Sequence, residues 1–198
     1  MHKTLLPILC GLLLLAACGD CKEGSDAASW KPVAEDALEG AQKAQRAAAF
    51  KAKDAMFKQL SGALMGAVKA GGPAAAIDVC RVEAPKVAAS VSEEYGLAIG
   101  RTAFRLRNAE NAPPAWAASL VAAESADNSY VVDSDGALGV LLPIRLQNAC
   151  LTCHGDPAKI PAEVKAKIEQ SYPDDQATGF AQGDLRGYFW IEVPAPTE

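Results

Sequence analysis

The hydrophobic and polar positions of the chain repeat with a helical period in its first half and a strand-like period in its second. Residues 30–70 are rich in Ala, Lys, Gln, Leu and Met and contain no proline after Pro32. This composition predicts one long helix or two consecutive ones. Gly71-Gly72-Pro73 ends the segment, and Pro73 is placed to begin a further helix that runs to about Tyr95-Gly96.

One face of this further helix carries small and apolar residues at spacings of three and four, which predicts a buried stripe. The stripe consists of Ile77, Cys80, Ala84, Val87 and Val91. The side chain of Cys80 is therefore predicted to point into the protein. On spacing alone, a buried cysteine is more often a small core residue than a metal ligand.

Beyond Gly96 the period changes to two, as in a half-buried strand. Arg101, Arg105 and Arg107 alternate with less polar residues, so one face of this strand is predicted to be cationic. A short helix is expected over residues 115–125, and further strands over residues 130–133, 139–146 and 185–193. Asp133-Ser134-Asp135-Gly136 is a credible hairpin turn between two of them. Helices followed by an antiparallel sheet predict an α+β domain.

The N-terminus has the features of an export signal. Met1-His2-Lys3 supplies positive charge and residues 5–15 are apolar, too short a stretch for a comfortable transmembrane helix. Leu15-Ala16-Ala17-Cys18 resembles the lipobox of bacterial lipoproteins, which implies cleavage before Cys18 and a lipid on its thiol. We therefore expect a signal peptide over residues 1–17, a tether over 18–29 and a folded domain over 30–198. The expected location is the periplasmic side of a bacterial membrane; ordinary secretion is the alternative.

Overall charge argues against one class of partner. The net charge is −5 and the isoelectric point is near 5.1. Phosphate binding relies on a clustered excess of Lys and Arg, so we expect no nucleic-acid partner.

The segment Cys150-Leu151-Thr152-Cys153-His154 has the spacing of c-type haem attachment. In such sites two thiols bond to the porphyrin and the adjoining imidazole binds the iron. A structural zinc site is less suited to this segment, because adjacent Cys153 and His154 are awkwardly placed to bind one ion together with Cys150. A thioredoxin-like dithiol is a further alternative, although the chain lacks the expected α/β pattern. The motif therefore predicts one covalently bound haem c.

The second axial ligand of the iron is not fixed by this motif. His154 is the only histidine left once His2 is removed with the signal peptide, so bis-histidine ligation is excluded. Haem iron in proteins is commonly bound by sulfur or nitrogen donors. The candidates are Met56, Met65, Cys80, Cys21, a lysine, water, or no ligand at all.

The cationic residues suggest where the haem propionates bind. Arg101, Arg105 and Arg107, together with Arg186, are predicted to hold them by charge-assisted hydrogen bonds. The alternative is that these arginines form a solvated strand face.

Several separate motifs, in a consistent order, resemble one known family of exported single-haem proteins. They are Ile77-Asp78-Val79-Cys80, Ile99-Gly100-Arg101-Thr102, Leu106-Arg107-Asn108, Asn111-Ala112-Pro113 with Trp116, Cys150 to Gly155, Tyr172-Pro173-Asp174-Asp175, Ala177-Thr178-Gly179 and Gly183 to Gly187. The resemblance covers about residues 35–193. It departs at Ala109, where the family commonly has proline, which affects loop stiffness more than haem binding.

This resemblance implies a PAS-like antiparallel sheet with long N-terminal helices and a haem c bound by His154 and Cys80. Thiolate ligation stabilises ferric iron and fills its sixth site. The expected function is therefore low-potential electron transfer at the membrane surface with an unidentified redox partner. The alternative is a haem-based redox or gas sensor that acts through a partner protein. An enzyme is not expected, because no second histidine is present to serve as a distal acid-base group.

Overall fold

The computed structural model describes residues 29–196. The predicted signal peptide, the lipidation at Cys18 and the candidate ligand Cys21 lie outside these residues.

A five-stranded antiparallel sheet forms the centre of the described part. Its strands are β1 (Lys31–Val33), β2 (Ala98–Thr102), β3 (Ser129–Val132), β4 (Leu138–Arg145) and β5 (Leu185–Val193). They are ordered β1-β3-β4-β5-β2, so the C-terminal strand lies inside the sheet. The predicted hairpin turn joins β3 to β4: a side-chain oxygen of Asp133 accepts from the N–H groups of Asp135 and Ala137, and Gly136 has φ 88°.

Apolar clusters cover both faces of the sheet, and the sequence of β5 contributes side chains to each of them. Phe189 and Ile191 belong to the apolar cluster on the helical face. Tyr188 and Trp190 belong to the cluster on the opposite face, which contains Trp116. This period-two alternation places every second residue in each core layer.

The long helices lie in the N-terminal half of the described region, and three shorter ones lie in its C-terminal half. They are α1 (Ala41–Asp78), a π-helical turn (Val79–Glu83), α2 (Ala84–Tyr95), α3 (Ala118–Ala122), α4 (Leu151–His154) and α5 (Ala162–Ser171). The predicted helical start at residue 30 is wrong, because residues 31–33 form β1 and pair with β3. Pro32 suits an edge strand, and Gly40 with φ 47° is not helical. Helix α5 was not anticipated from the sequence.

Helix α1 has two parts with different degrees of burial. Ala49, Ala52 and Met56 are buried against the sheet. Residues 57–70, here called the arm, include no buried residue. The predicted break follows the arm: Gly71 has φ −140° and Gly72 has φ 77° and ψ 179°. Gly96, with φ 64°, ends α2 as expected.

The helical segment Ala41–Tyr95 is long and apolar enough to cross a membrane by length and composition alone, and 11% of its most apolar window is buried. Length and composition are weak criteria for a helix that also packs on a sheet. The architecture confirms the predicted fold class, an α+β domain with a PAS-like antiparallel sheet and long N-terminal helices.

Candidate cofactor site

A cavity of about 390 Å³ opens between α1 and the loops that surround α4. This volume lies in the range of small-molecule and cofactor pockets. Cys80, Cys150, Cys153 and His154 all line it. Tertiary structure therefore brings the predicted attachment motif and the predicted distal cysteine to the same space.

The attachment motif forms a short turn followed by α4. A 3-10 turn, Asn148–Cys150, leads directly into the four residues of α4, so the two cysteines lie one turn apart. Both are half-buried free thiols. Burial, the largest effect, raises the pKa of the Cys153 thiol. Because the two cysteines lie one turn apart, both thiols can face one edge of a bound group.

His154 is held in one orientation by the backbone. Its Nδ1 lies 2.7 Å from the carbonyl oxygen of Ala177, a contact that is favourable when Nδ1 carries the proton. In that tautomer the 3.3 Å approach of the Arg186 Nε to the same nitrogen is a contact and not a hydrogen bond. Nε2 has no hydrogen-bond partner among residues 29–196. A backbone carbonyl on one ring nitrogen and a free second nitrogen is the usual arrangement of a metal-binding histidine.

The imidazole of His154 is neutral at physiological pH. Burial lowers its pKa to about 3, and the charges of Arg107 and Arg186 act in the same direction. A neutral imidazole offers its lone pair to a metal without first losing a proton.

A buried ion pair holds the loops that carry His154. Arg107 and Asp175 contact each other through two hydrogen bonds of 3.0 Å. Arg107 also donates to the carbonyls of Cys153 and Ala177, at 2.7 and 3.2 Å. Because the ion pair bonds to the residue before His154 and to the residue that orients its ring, it fixes the histidine at two points.

Cys80 is the candidate second ligand that the structure favours. It is half-buried and lies in the π-helical turn, a distortion that is frequent at functional sites. Met56 is 1% exposed within the apolar core and does not line the cavity. Met65 lies at the cavity mouth but is 58% exposed. No lysine of the described region lines the cavity.

The lining fits a haem in its apolar and its polar parts. Leu64, Val68 and Ile77 supply apolar walls. The hydroxyl of Thr102, in the same lining, is buried without a hydrogen-bond partner. A buried polar atom without a partner is costly, so a polar group in the cavity is expected. Residues 29–196 contain no group of three or more His, Cys, Asp or Glu arranged to hold an ion directly.

Comparison with known proteins gives the family. The Tll0287-like family model matches residues 28–194. This chain belongs to the Tll0287-like family. The resemblance seen in the sequence motifs is thereby confirmed.

A solved structure supports the same assignment. The crystal structure of the cyanobacterial haem protein Tll0287 shares 25% identity with this Tll0287-like chain, with a TM-score of 0.53. The alignment covers 72% of this chain and 92% of that one. No curated protein sequence is significantly similar.

The predicted arginines of this Tll0287-like protein do not form one strand face, because β2 ends at Thr102. Arg101 lies in β2 and lines the cavity without a hydrogen-bond or ion-pair partner in the described region. Arg107 also lines it but is paired with Asp175. Arg105 lies outside the cavity lining: its guanidinium donates to the carbonyls of Gln176 and Thr178 and stacks on a phenylalanine ring.

Arg186 is a stronger candidate than Arg105 to bind a propionate alongside Arg101. It lines the cavity, donates to the Arg105 carbonyl at 3.0 Å and has no carboxylate partner among residues 29–196. Burial lowers its pKa to about 10, and neighbouring Arg107 contributes in the same direction. A half-buried cation without an acidic partner in the described region fits an anionic group in the cavity. We therefore keep the propionate prediction for Arg101 and Arg186.

Two structural residues escaped sequence reasoning. Asp175 and Ala177 fall in motifs that carry the family resemblance, but nothing in the sequence pairs them with Arg107 and His154. The ion pair spans 68 positions, and the histidine contact is made by a backbone carbonyl that has no sequence signature. Only the fold reveals these roles.

Proposed function

We propose that this protein is a redox carrier with one covalently bound haem c. The observation that carries the proposal is that the Cys150-to-His154 motif and Cys80, from a distant helix, line one cavity. The haem, when bound, supplies a one-electron couple, and the protein supplies attachment, ligation and electrostatics. Cys150 and Cys153 hold the porphyrin, and Arg101 and Arg186 bind the propionates.

His154 and Cys80 are proposed as the two protein ligands of the iron. The free Nε2 of His154 and the thiolate of Cys80 would each donate electron density to it, and the thiolate's charge would favour the ferric state. Two protein ligands would leave no site for a substrate on the iron. This supports electron transfer and not catalysis, and peroxidase activity is expected to stay at the level of free haem.

The carrier is proposed to work at the periplasmic surface of a membrane. A lipid on Cys18 would anchor it there, and a redox protein partner would deliver one electron and another would accept it. Changing Cys18 to Ser should abolish acyl labelling and normal processing. Unchanged labelling in that variant would contradict the lipid anchor while leaving the haem proposal intact.

Covalent attachment is tested on protein produced in a host that matures c-type cytochromes. Denatured protein should keep its haem on a gel and give a pyridine haemochrome typical of two thioethers. Cys150→Ser and Cys153→Ser should each shift the haemochrome toward a single thioether. Cys80→Ser is the control, because it removes a cavity cysteine outside the motif. Extraction of the haem from the native sequence by acidic solvent would refute covalent attachment.

A second candidate function is a redox or gas sensor that acts through a partner protein. The π-helical turn at Cys80 favours it, because such turns are local distortions that can rearrange when a ligand leaves. The discriminating measurement is addition of carbon monoxide to the reduced protein. A stoichiometric complex would favour the sensor, and an unchanged ferrous spectrum the carrier.

A further inference from the structure

Tyr172 is a buried phenol in the cavity with no assigned task. It follows α5, is 6% exposed and lines the cavity. Its backbone is fixed on both sides: the N–H donates to the Ile168 carbonyl at 2.7 Å, and the carbonyl accepts from the Asp175 N–H at 3.1 Å. The hydroxyl, in contrast, has no hydrogen-bond partner among residues 29–196. Buried phenols usually find such a partner.

The packing of Tyr172 places it on the same side as Cys80. It shares an apolar cluster with Ile77, which precedes Cys80 by three residues and lines the same cavity. Ala74, one turn earlier, and Cys153 also pack against this cluster. Tyr172 therefore lies between the helix that carries Cys80 and the attachment motif.

We propose that the phenol of Tyr172 donates a hydrogen bond to the sulfur of Cys80 and thereby tunes the potential of the iron. This rests on the proposed ligation by Cys80. A hydrogen bond withdraws electron density from a thiolate, so it weakens the sulfur's preference for ferric iron and raises the reduction potential. Tyr172 acts through Cys80 and is a positioning residue.

Electrostatics are consistent with this geometry. Burial raises the pKa of Tyr172 to about 12, and the charge of Cys80 is the next largest contribution. The phenol therefore keeps its proton at physiological pH and remains a donor.

The first test compares reduction potentials of haem-loaded Tyr172→Phe and native protein. Loss of the hydrogen bond should shift the ferric-to-ferrous equilibrium about tenfold toward ferric, a fall of about 59 mV for one electron. Tyr95→Phe is the matched control, because Tyr95 is a partly buried tyrosine packed against the sheet core and outside the cavity lining. An unchanged potential in Tyr172→Phe would overturn the proposal.

A double-mutant cycle tests whether the phenol of Tyr172 changes the reduction potential through Cys80. In a Cys80→Ser background, Tyr172→Phe should change the potential much less than it does with Cys80 present. An equal shift in both backgrounds would mean that the phenol acts on another group, and the proposal would be wrong.

A measurement on unmodified protein keeps the proposal testable if Tyr172→Phe fails to fold. The iron–sulfur stretching band in the resonance Raman spectrum should move in D₂O, because the phenol proton exchanges. A band that is present but insensitive to D₂O overturns the hydrogen bond alone. Absence of the band overturns the Cys80 ligation on which it rests, so the two failures are distinguishable.

Discussion

The two walls of the cavity differ in how tightly the protein fixes them. On the side of His154, a buried ion pair and backbone carbonyls hold the imidazole in one orientation. On the side of Cys80, the arm contains no buried residue, and the π-helical turn is joined to α5 by the ion pair of the preceding Asp78 with Lys167. The protein therefore preorganises the proposed histidine ligand and holds the proposed cysteine ligand on a more adjustable wall.

The rigid wall depends most on Asp175. Asp175→Asn should leave Arg107 buried beside a neutral partner, and breaking such a pair costs about 3–5 kcal/mol. The free energy of unfolding, measured by denaturant titration of the haem-loaded protein, should fall by that amount. Lys86→Gln is the control: it breaks an exposed ion pair with Glu83 and should cost less than about 0.5 kcal/mol. Equal losses in the two variants would contradict the distinct role of the buried pair.

The adjustable wall is tested by replacing Cys80, its proposed ligand. Cys80→Ser should keep covalent haem, lose thiolate-type low-spin features and raise the reduction potential by about 118 mV, a hundredfold change in equilibrium, because an anionic donor is lost. Met56→Leu and Met65→Leu should leave both the ferric spectrum and the potential close to native. If one methionine variant changes both and Cys80→Ser changes neither, the distal ligand is methionine.

Backbone conformation separates the arm from the rest of its helix. Gly72 has φ 77° and ψ 179°, a region open essentially to glycine alone, so Gly72→Ala should destabilise the fold by about 1–3 kcal/mol. Gly62 lies within α1, and an added Cβ would meet nothing within 4 Å. Gly62→Ala should therefore stabilise by about 0.5–1 kcal/mol. Thermal unfolding measures both, and the same sign for the two changes would contradict the observed break.

Charge at the cavity provides the mildest test. Arg101→Gln removes a cavity-lining cation without a partner in the described region, so the reduction potential should fall by about 59 mV or less, up to a tenfold shift. Arg105→Gln removes a cation engaged with backbone carbonyls outside the cavity lining and should shift the potential less. A larger shift of the potential in Arg105→Gln than in Arg101→Gln would indicate that Arg105 binds a propionate.

Much of the architecture was predictable because it depends on local patterns. Strand β5 matches its predicted bounds, since alternating residues serve the two core layers of the sheet. Gly71-Gly72-Pro73 and Gly96 mark real interruptions, because glycine takes backbone conformations that other residues avoid. Residues 31–33 were misassigned to a helix, since their strand conformation depends on pairing with β3, which lies far along the chain.

The sequence by itself predicted the attachment chemistry, because Cys150, Cys153 and His154 lie within five residues and their spacing carries the signal. It also contains no histidine other than His2 and His154. Only the tertiary structure showed which distant candidates line the cavity beside that motif: Cys80 does and Met56 does not, and Arg186 does while Arg105 does not. Such contacts join residues tens of positions apart. A contact made by a backbone carbonyl, such as that of Ala177, cannot be predicted from the residue type, because every residue has one.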